Sequence, residues 1–167
     1  MRVDEVQTAS GRRATREVVS HPGAAAVVPL LPEGRVVLIR QYRHAAGRTL
    51  WELPAGILGP GEAPEECARR ELIEEAGYEA GNLSLLFSTY LSPGYSGELI
   101  HIFRAGDLRP VPARLEPDEE IVPVAVPLED AVAMVRRGEV QNAAAICGLL
   151  AVACWHCAAE EETDGAG

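Results

Sequence analysis

The sequence predicts an α/β (α+β) fold in which a mixed β-sheet is flanked by helices. Short β-type segments outnumber helical ones, and the two kinds do not alternate strictly, as they would in a doubly wound parallel sheet. The chain has 167 residues, of which 47% are hydrophobic. That size suits one domain with a substantial core.

The first element is an N-terminal strand arm, residues 1–20, which is polar with scattered valines. Ser10-Gly11-Arg12 lies between Val6 and Val18 and predicts a turn between two short strands. The arm is too thin to have a core of its own.

The central strands are predicted next. Two apolar stretches, Ala24–Leu31 and Val36–Tyr42, are separated by Pro32-Glu33-Gly34, a typical turn sequence, and form a predicted hairpin. Pro123 in the last β-type segment indicates an edge strand or a bulge. The four β-type segments after this hairpin are Leu50–Leu53, Leu83–Leu91, Leu99–Arg104 and Ile121–Val126.

Three segments are predicted to be helices: Pro64–Ala76, Leu128–Arg137 and Asn142–Ala159. Pro64 suits a first helical turn, and Gly77 and Gly138 follow the first two helices directly. Asn142 suits the N-cap of the third. Residues 21–159 thus make up the predicted main domain, and the acidic stretch 160–167, which ends in glycine, is predicted to be a disordered tail.

Charge and composition exclude several classes of partner. Fifteen Lys and Arg face 25 Asp and Glu, giving a net charge of -10 that repels nucleic acids and anionic lipids. The longest apolar run, Ala143 to Trp155, is shorter than the roughly 20 residues of a membrane helix. These two features predict no nucleic-acid or membrane partner. A polar N-terminus and only four cysteines predict a cytoplasmic protein.

The densest charge pattern is a glycine-rich loop that leads into the first helix. Glu71, Glu74 and Glu75 stand at i, i+3 and i+4, so they project from one helical face with Cβ atoms about 5–6 Å apart. They also lie near the helix C-terminus, where the dipole disfavours anions. Arg70 supplies a single positive charge. Oxygen ligands grouped in this way favour Mg²⁺ or Mn²⁺.

A simpler interpretation of this cluster is a solvated acidic helix face, which is the commoner role of such glutamate runs. Ala68, Leu72 and Ala76 would then form the buried stripe on the opposite side. Spacing alone leaves both interpretations open.

The same segment resembles the signature of the Nudix hydrolases. The matching positions are Gly56, five residues, Glu62, seven residues, Arg70-Glu71, an aliphatic Leu72, one residue, Glu74-Glu75, one residue, Gly77 and a bulky apolar Tyr78. The resemblance implies a Nudix-type α/β/α sandwich. It also implies hydrolysis of a nucleoside diphosphate linked to another group, with Mg²⁺, Mn²⁺ or another divalent cation on the signature glutamates.

Several segments outside the signature are similar to the ADP-ribose pyrophosphatase branch of that family. They are Arg40–Arg43, Trp51–Gly56, Ser92–Glu98 and stretches after Glu116, so the likeness covers roughly residues 16–150. The branch implies cleavage of ADP-ribose to AMP and ribose 5-phosphate, and a homodimer in which the N-terminal arm contacts the partner. The alternatives are another nucleoside diphosphate derivative (a nucleotide sugar, flavin dinucleotide or NADH) and a non-catalytic module that senses ADP-ribose.

The resemblance also implies roles for particular residues. The implied metal ligands are the Ala55 carbonyl, Glu71, Glu74 and Glu75. Arg70 would orient a signature carboxylate, and Glu62 would steady the loop or reach a metal through water. The general base would come from an acidic loop, with Glu119 and Glu120 as the main candidates and Glu116 and Asp118 behind them. The implied substrate contacts are Arg43, Pro93, Tyr95 and Glu98. The sequence assigns no role to its histidines.

Overall fold

The computed structural model describes residues 1–115 and 120–164, with side chains up to Cys154. The strands are β1 Arg2–Gln7, β2 Arg13–Val18, β3 Ala24–Leu31, β4 Arg35–Arg43, β5 Arg48–Glu52, β6 Ala55–Ile57, β7 Tyr78–Tyr90, β8 Leu99–Pro110 and β9 Ile121–Pro127. The helices are α1 Pro64–Ala76, α2 Leu128–Arg136 and α3 Ala143–Asp164.

The strands form a hairpin and a larger mixed sheet. Among the described strands, β1 and β2 pair only with each other. The seven-stranded sheet runs in the order β5-β4-β3-β8-β7, with β6 paired to β3 and β9 to β4. β3 and β8 are parallel, and the other named pairs are antiparallel. The predicted mixed sheet is therefore confirmed.

The sheet lies between two helical layers, and β3 shows why. Successive side chains of a strand point to opposite faces. Ala24, Ala26 and Val28 pack with residues of α2 and α3, whereas Ala25 and Val27 pack with residues of α1. Because β3 is buried on both faces, its sequence is a continuous apolar run, as expected for the centre of an α/β/α sandwich.

Helix α1 has the predicted bounds. Pro64 occupies its first turn, and Gly77 ends it with a positive φ of 70°. The predicted buried stripe is also confirmed, since Ala68, Leu72 and Ala76 are 0%, 0% and 4% exposed. Glu71 and Glu75 lie on a neighbouring edge of the helix and face the strand β6.

Some boundaries differ from the prediction. β6 was not predicted, and β7 and β8 extend well beyond their predicted segments. The edge position predicted from Pro123 is confirmed, because β9 pairs only with β4 among the described strands. The Asn142 side chain caps α3 as predicted, accepting from the Ala145 N–H at 3.0 Å.

Helix α3 reaches Asp164, so its predicted end at Ala159 was five residues too early. Residues 165–167 of the predicted tail lie outside the described part, and the domain division stays a prediction. Within the described residues, no helix combines the length and apolar character needed to cross a bilayer.

Candidate active site

A cavity of about 1070 Å³ lies where β4, β6, the glycine-rich loop and the start of α3 meet. Its described lining includes Arg43, Arg70 and the glutamates 52, 62, 66, 71, 74, 75 and 98. Seven carboxylates thus face two guanidinium groups. Such a cavity repels a pyrophosphate unless cations enter with it.

The signature glutamates are not a solvated face. Glu71 and Glu75 are 8% and 3% exposed, although they lie on the same helix as freely exposed acidic residues. Buried carboxylates need hydrogen bonds or counter-charges to offset their desolvation. The simpler interpretation of this cluster as a surface feature is therefore wrong for Glu71 and Glu75.

The strand β6 holds two of these carboxylates close to the backbone. The Ala55 N–H donates to Glu75 Oε2 at 2.8 Å. At Gly56 a Cβ atom would collide with the carboxylate of Glu71, so only glycine lets this backbone and side chain approach each other. The backbone of β6 therefore lies in direct contact with the carboxylates of Glu71 and Glu75.

Arg70 forms ion pairs with three carboxylates of the site. Its Nη1 lies 2.5 Å from Glu71 Oε1 and 3.0 Å from Glu74 Oε2, and its Nε lies 2.8 Å from Glu62 Oε1. These bonds raise the pKa of Arg70, with the bond to Glu62 as the largest cause. The arrangement agrees with the predicted role of Arg70 in orienting carboxylates, which stays a prediction.

Glu62 joins the loop to this network. Its Oε2 accepts from the Gly59 N–H at 2.7 Å and from Arg70 Nη2 at 3.1 Å. The hydrogen bonds from Arg70 and then from Gly59 lower the pKa of Glu62 to about 2. Of the two roles implied for Glu62, these contacts favour the one that steadies the loop.

Cys67 packs against the backbone at the start of the same loop. It is fully buried, and its Sγ lies 3.6 Å from the Gly56 carbonyl oxygen and 3.7 Å from that of Ile57. Burial raises the pKa of its thiol to about 12. Cys67 is thus a protonated packing residue beneath the loop.

The guanidinium of Arg43 is held by a buried carboxylate. Glu52 is 2% exposed. Its Oε2 accepts from Arg43 Nη2 at 2.7 Å, and its Oε1 accepts from Arg43 Nε at 3.1 Å. Two parallel bonds of this kind fix the plane of a guanidinium. Glu52 is a site residue that our sequence analysis missed, although a lone charge in the apolar run Leu50–Leu53 was a usable signal.

The oxygen donors of the site fit a divalent cation in type. Among the described residues, no three His, Cys, Asp or Glu side chains already converge in an arrangement that holds a metal ion. Arg70 donates to Glu71 and Glu74, and the Ala55 N–H donates to Glu75. The chemistry of the site nevertheless fits a hard cation, because its ligands are carboxylate oxygens and its charge is strongly negative.

The predicted substrate contacts divide into two groups. Arg43 and Glu98 line the cavity, whereas Pro93 and Tyr95 are not among its described lining. Tyr95 is 60% exposed, and its carbonyl accepts from the Val19 N–H at 2.8 Å. The segment with Pro93 and Tyr95 is thus tied to the end of the N-terminal arm, and the contacts predicted for these two residues stay predictions.

The acidic loop is described only at its end. Glu120 is exposed just before β9 and is absent from the described cavity lining. Glu116, Asp118 and Glu119 lie outside the described residues. The chain before them is anchored to α1, because the Arg114 N–H donates to the Glu74 carbonyl at 3.1 Å. The identity of the general base stays a prediction.

Three further polar residues of the lining were missed: His21, Gln41 and Asn142. None is close in sequence to the signature, so a local pattern gives no reason to group them with it. The strand order of the sheet brings them there.

Comparisons with known proteins agree with this geometry. A family model described as NUDIX domain matches residues 20–146. An ADP-ribose pyrophosphatase of Bacillus subtilis is 41% identical over 143 residues, which cover 84% of this chain and 77% of that protein. One of Mycobacterium tuberculosis is 42% identical over 156 residues, covering 91% and 75%.

A solved structure described as an ADP compounds hydrolase superposes with a TM-score of 0.79 at 26% identity, covering 90% of this chain and 82% of its own. Nudix hydrolases generally use divalent cations. Because the family model spans most of the chain and the two relatives exceed 40% identity over most of their length, this chain belongs to the Nudix family of hydrolases.

Proposed function

We propose that this enzyme hydrolyses the pyrophosphate bond of ADP-ribose to AMP and ribose 5-phosphate, with Mg²⁺ as its cation. The observation that carries the proposal is one cavity lined by both the signature carboxylates and the Arg43–Glu52 pair. The two ADP-ribose pyrophosphatases among its relatives support the choice of substrate.

Glu71, Glu74, Glu75 and the Ala55 carbonyl would hold the cation. A bound divalent ion neutralises the pyrophosphate charge and lowers the pKa of water, which supplies a nucleophile at neutral pH. Arg70 orients these carboxylates before the cation binds, since its Nη1 donates to both Glu71 and Glu74. Its guanidinium must give up part of these contacts when a cation binds.

Arg43 supplies a positive charge for the anionic substrate in the same cavity. A planar guanidinium offers paired N–H donors to phosphate oxygens, which lysine cannot do. Glu52 holds the Arg43 side chain in place before substrate arrives, so less side-chain entropy is lost on binding. Glu98 suits contacts to ribose hydroxyl groups, because a carboxylate accepts hydrogen bonds. An acid of the 116–120 loop would act as the general base.

The proposal is tested by assaying a substrate panel with Mg²⁺ or with a chelator. The panel contains ADP-ribose, ADP-glucose, flavin dinucleotide, NADH and CDP-choline. We expect chelator-sensitive AMP release that is fastest from ADP-ribose, and a loss of more than about a hundredfold in Glu75→Gln. Glu65→Gln is the matched control, since Glu65 lies on the same helix but pairs with Arg69 outside the cavity.

A different best substrate with the same cation dependence would keep the chemistry and overturn the choice of ADP-ribose. Tight ADP-ribose binding without turnover of any compound would instead favour the sensing module. Replacing Mg²⁺ with Mn²⁺ in the same assay identifies the preferred cation.

We also propose that the enzyme is a cytoplasmic homodimer with the β1–β2 hairpin at its interface. The hairpin pairs with no other described strand. Val3, in β1, is 61% exposed, and Val19, directly after β2, is 40% exposed. Light scattering of the full chain and of a Val3→Asp variant tests the dimer. A monomeric full chain would contradict it. Cell fractionation tests the location, which rests on cysteine usage.

A further inference from the structure

His21 lies just before β3 and lines the cavity, but the proposed mechanism does not use it. Its Nδ1 accepts a hydrogen bond from the Gly23 N–H at 3.1 Å. An imidazole nitrogen that accepts a hydrogen bond carries no proton, so this contact selects the tautomer with its proton on Nε2. The backbone therefore fixes which side of the ring is a donor.

The other ring nitrogen of His21, Nε2, is unpaired among the described residues. Among their buried side-chain atoms, only Gln41 Oε1 lacks a partner. Since Nε2 is unpaired and is not one of the buried unpaired atoms, it is accessible. As His21 is part of the cavity lining, we infer that this N–H is reachable by a ligand in the cavity.

The surroundings define the ligand chemistry. Glutamates dominate the polar lining, and an ionised carboxylate only accepts hydrogen bonds. The donors are few, and the guanidinium of Arg70 is engaged by three carboxylates. A neutral imidazole N–H adds a donor without adding a full charge, which suits an oxygen acceptor on an anionic substrate.

We propose that His21 is a substrate-binding residue whose Nε2–H donates to an oxygen of the nucleoside diphosphate substrate, on the pyrophosphate or on the terminal ribose. The proposal rests on the function proposed above for this cavity.

Two substitutions separate binding from folding. In His21→Asn the amide oxygen can still accept from the Gly23 N–H, as asparagine commonly does two residues along the chain, but the distal donor is removed. In His21→Gln an amide N–H₂ group lies close to the position of Nε2. We expect His21→Asn to raise KM for ADP-ribose about ten- to hundredfold with little change in kcat, and His21→Gln to restore part of the loss. Unfolding midpoints should be unchanged.

Inhibition by ADP, which lacks the terminal ribose, identifies the contacted oxygen. Weaker ADP inhibition of His21→Asn assigns the contact to the pyrophosphate, and unchanged inhibition with a raised KM assigns it to the ribose. An unchanged KM in His21→Asn would overturn the proposal. So would parallel losses of kcat and stability in both variants, which indicate a structural role.

Nitrogen NMR of His21 gives a readout that does not need turnover. We expect the Nε2–H tautomer in the free protein and a shift of Nε2 on titration with ADP and Mg²⁺. A ring protonated on Nδ1 would contradict the proposal. So would an Nε2 signal that neither ADP nor ADP-ribose moves while other cavity signals shift, whereas a shift with ADP-ribose alone would assign the contact to the terminal ribose. Because ADP is not the proposed substrate, this test stands even if ADP-ribose is not hydrolysed.

Discussion

The carboxylate of Glu71 occupies the space that a side chain at Gly56 would need. These residues are fifteen positions apart, at the end of the Trp51–Gly56 segment and in the middle of α1. Their approach couples the position of the loop backbone to that of an expected metal ligand. A glycine at residue 56 is therefore required by the site itself.

Gly56→Ala should damage catalysis more than folding. Gly56 has no positive φ, so alanine suits its backbone, and the Glu71 carboxylate can turn away from the new methyl group. We expect a change in unfolding free energy below about 1 kcal/mol. The clash displaces the Glu71 carboxylate by more than about 1 Å, which should lower kcat at least about a hundredfold.

Cation titration and thermal unfolding measure the two effects. Gly106→Ala is the control, because a Cβ at Gly106 would meet no atom within 4 Å. Full activity in Gly56→Ala would show that Glu71 does not need its present position.

Glu52→Gln should weaken substrate binding although Glu52 acts through Arg43. The neutral amide cannot hold the guanidinium in two charge-assisted bonds. We expect KM to rise about tenfold in Glu52→Gln and in Arg43→Lys, with less than additive effects in the double variant because they remove one paired unit. Arg40→Lys on the same strand is the control, since Arg40 stacks on Trp51 and lies outside the cavity lining. Strictly additive effects would disprove the coupling.

The Glu62–Arg70 pair should make folding stability dependent on acid pH. The pKa of Glu62 is about 2 in the folded protein, against an ordinary value of 4.5 without these contacts. The unfolded chain therefore binds the proton first as the pH falls. The stabilisation is complete above pH 4.5 and is lost between 4.5 and about 2. Glu62→Gln should therefore cost about 1–2 kcal/mol at pH 7 and much less near pH 3. Denaturant unfolding of the metal-free protein at both pH values measures this, and a pH-independent cost would count against it.

Cys67 should resist thiol reagents while the fold is intact. Its pKa of about 12 leaves almost no thiolate at neutral pH, and it is fully buried, whereas Cys147 and Cys154 are exposed. In a variant with Cys147, Cys154 and Cys157 replaced by serine, we expect labelling only at the rate of unfolding. Labelling at the rate of a free thiol in the native protein would show that the loop over Cys67 opens.

The layout of the elements was predictable because its signals are local. The bounds of α1 follow from Pro64 and Gly77, and the β3–β4 hairpin follows from two apolar runs around Pro32–Gly34. The three-residue strand β6 was missed because so short a segment has no periodicity, and only pairing with β3 makes it a strand. β7 and β8 exceed their predicted lengths because they pair through Gly81, Gly106 and a bulge, where local preference predicts an end.

In the site too, some features follow from local sequence and others from tertiary structure. The sequence by itself determined the signature glutamates and Arg70, because a helix places residues three and four apart on one face. Tertiary structure decided that Glu71 and Glu75 are buried, that Glu52 holds Arg43 and that His21 joins the cavity. These relationships depend on which strands become neighbours, and strand pairing joins residues whose separation along the chain leaves no local pattern.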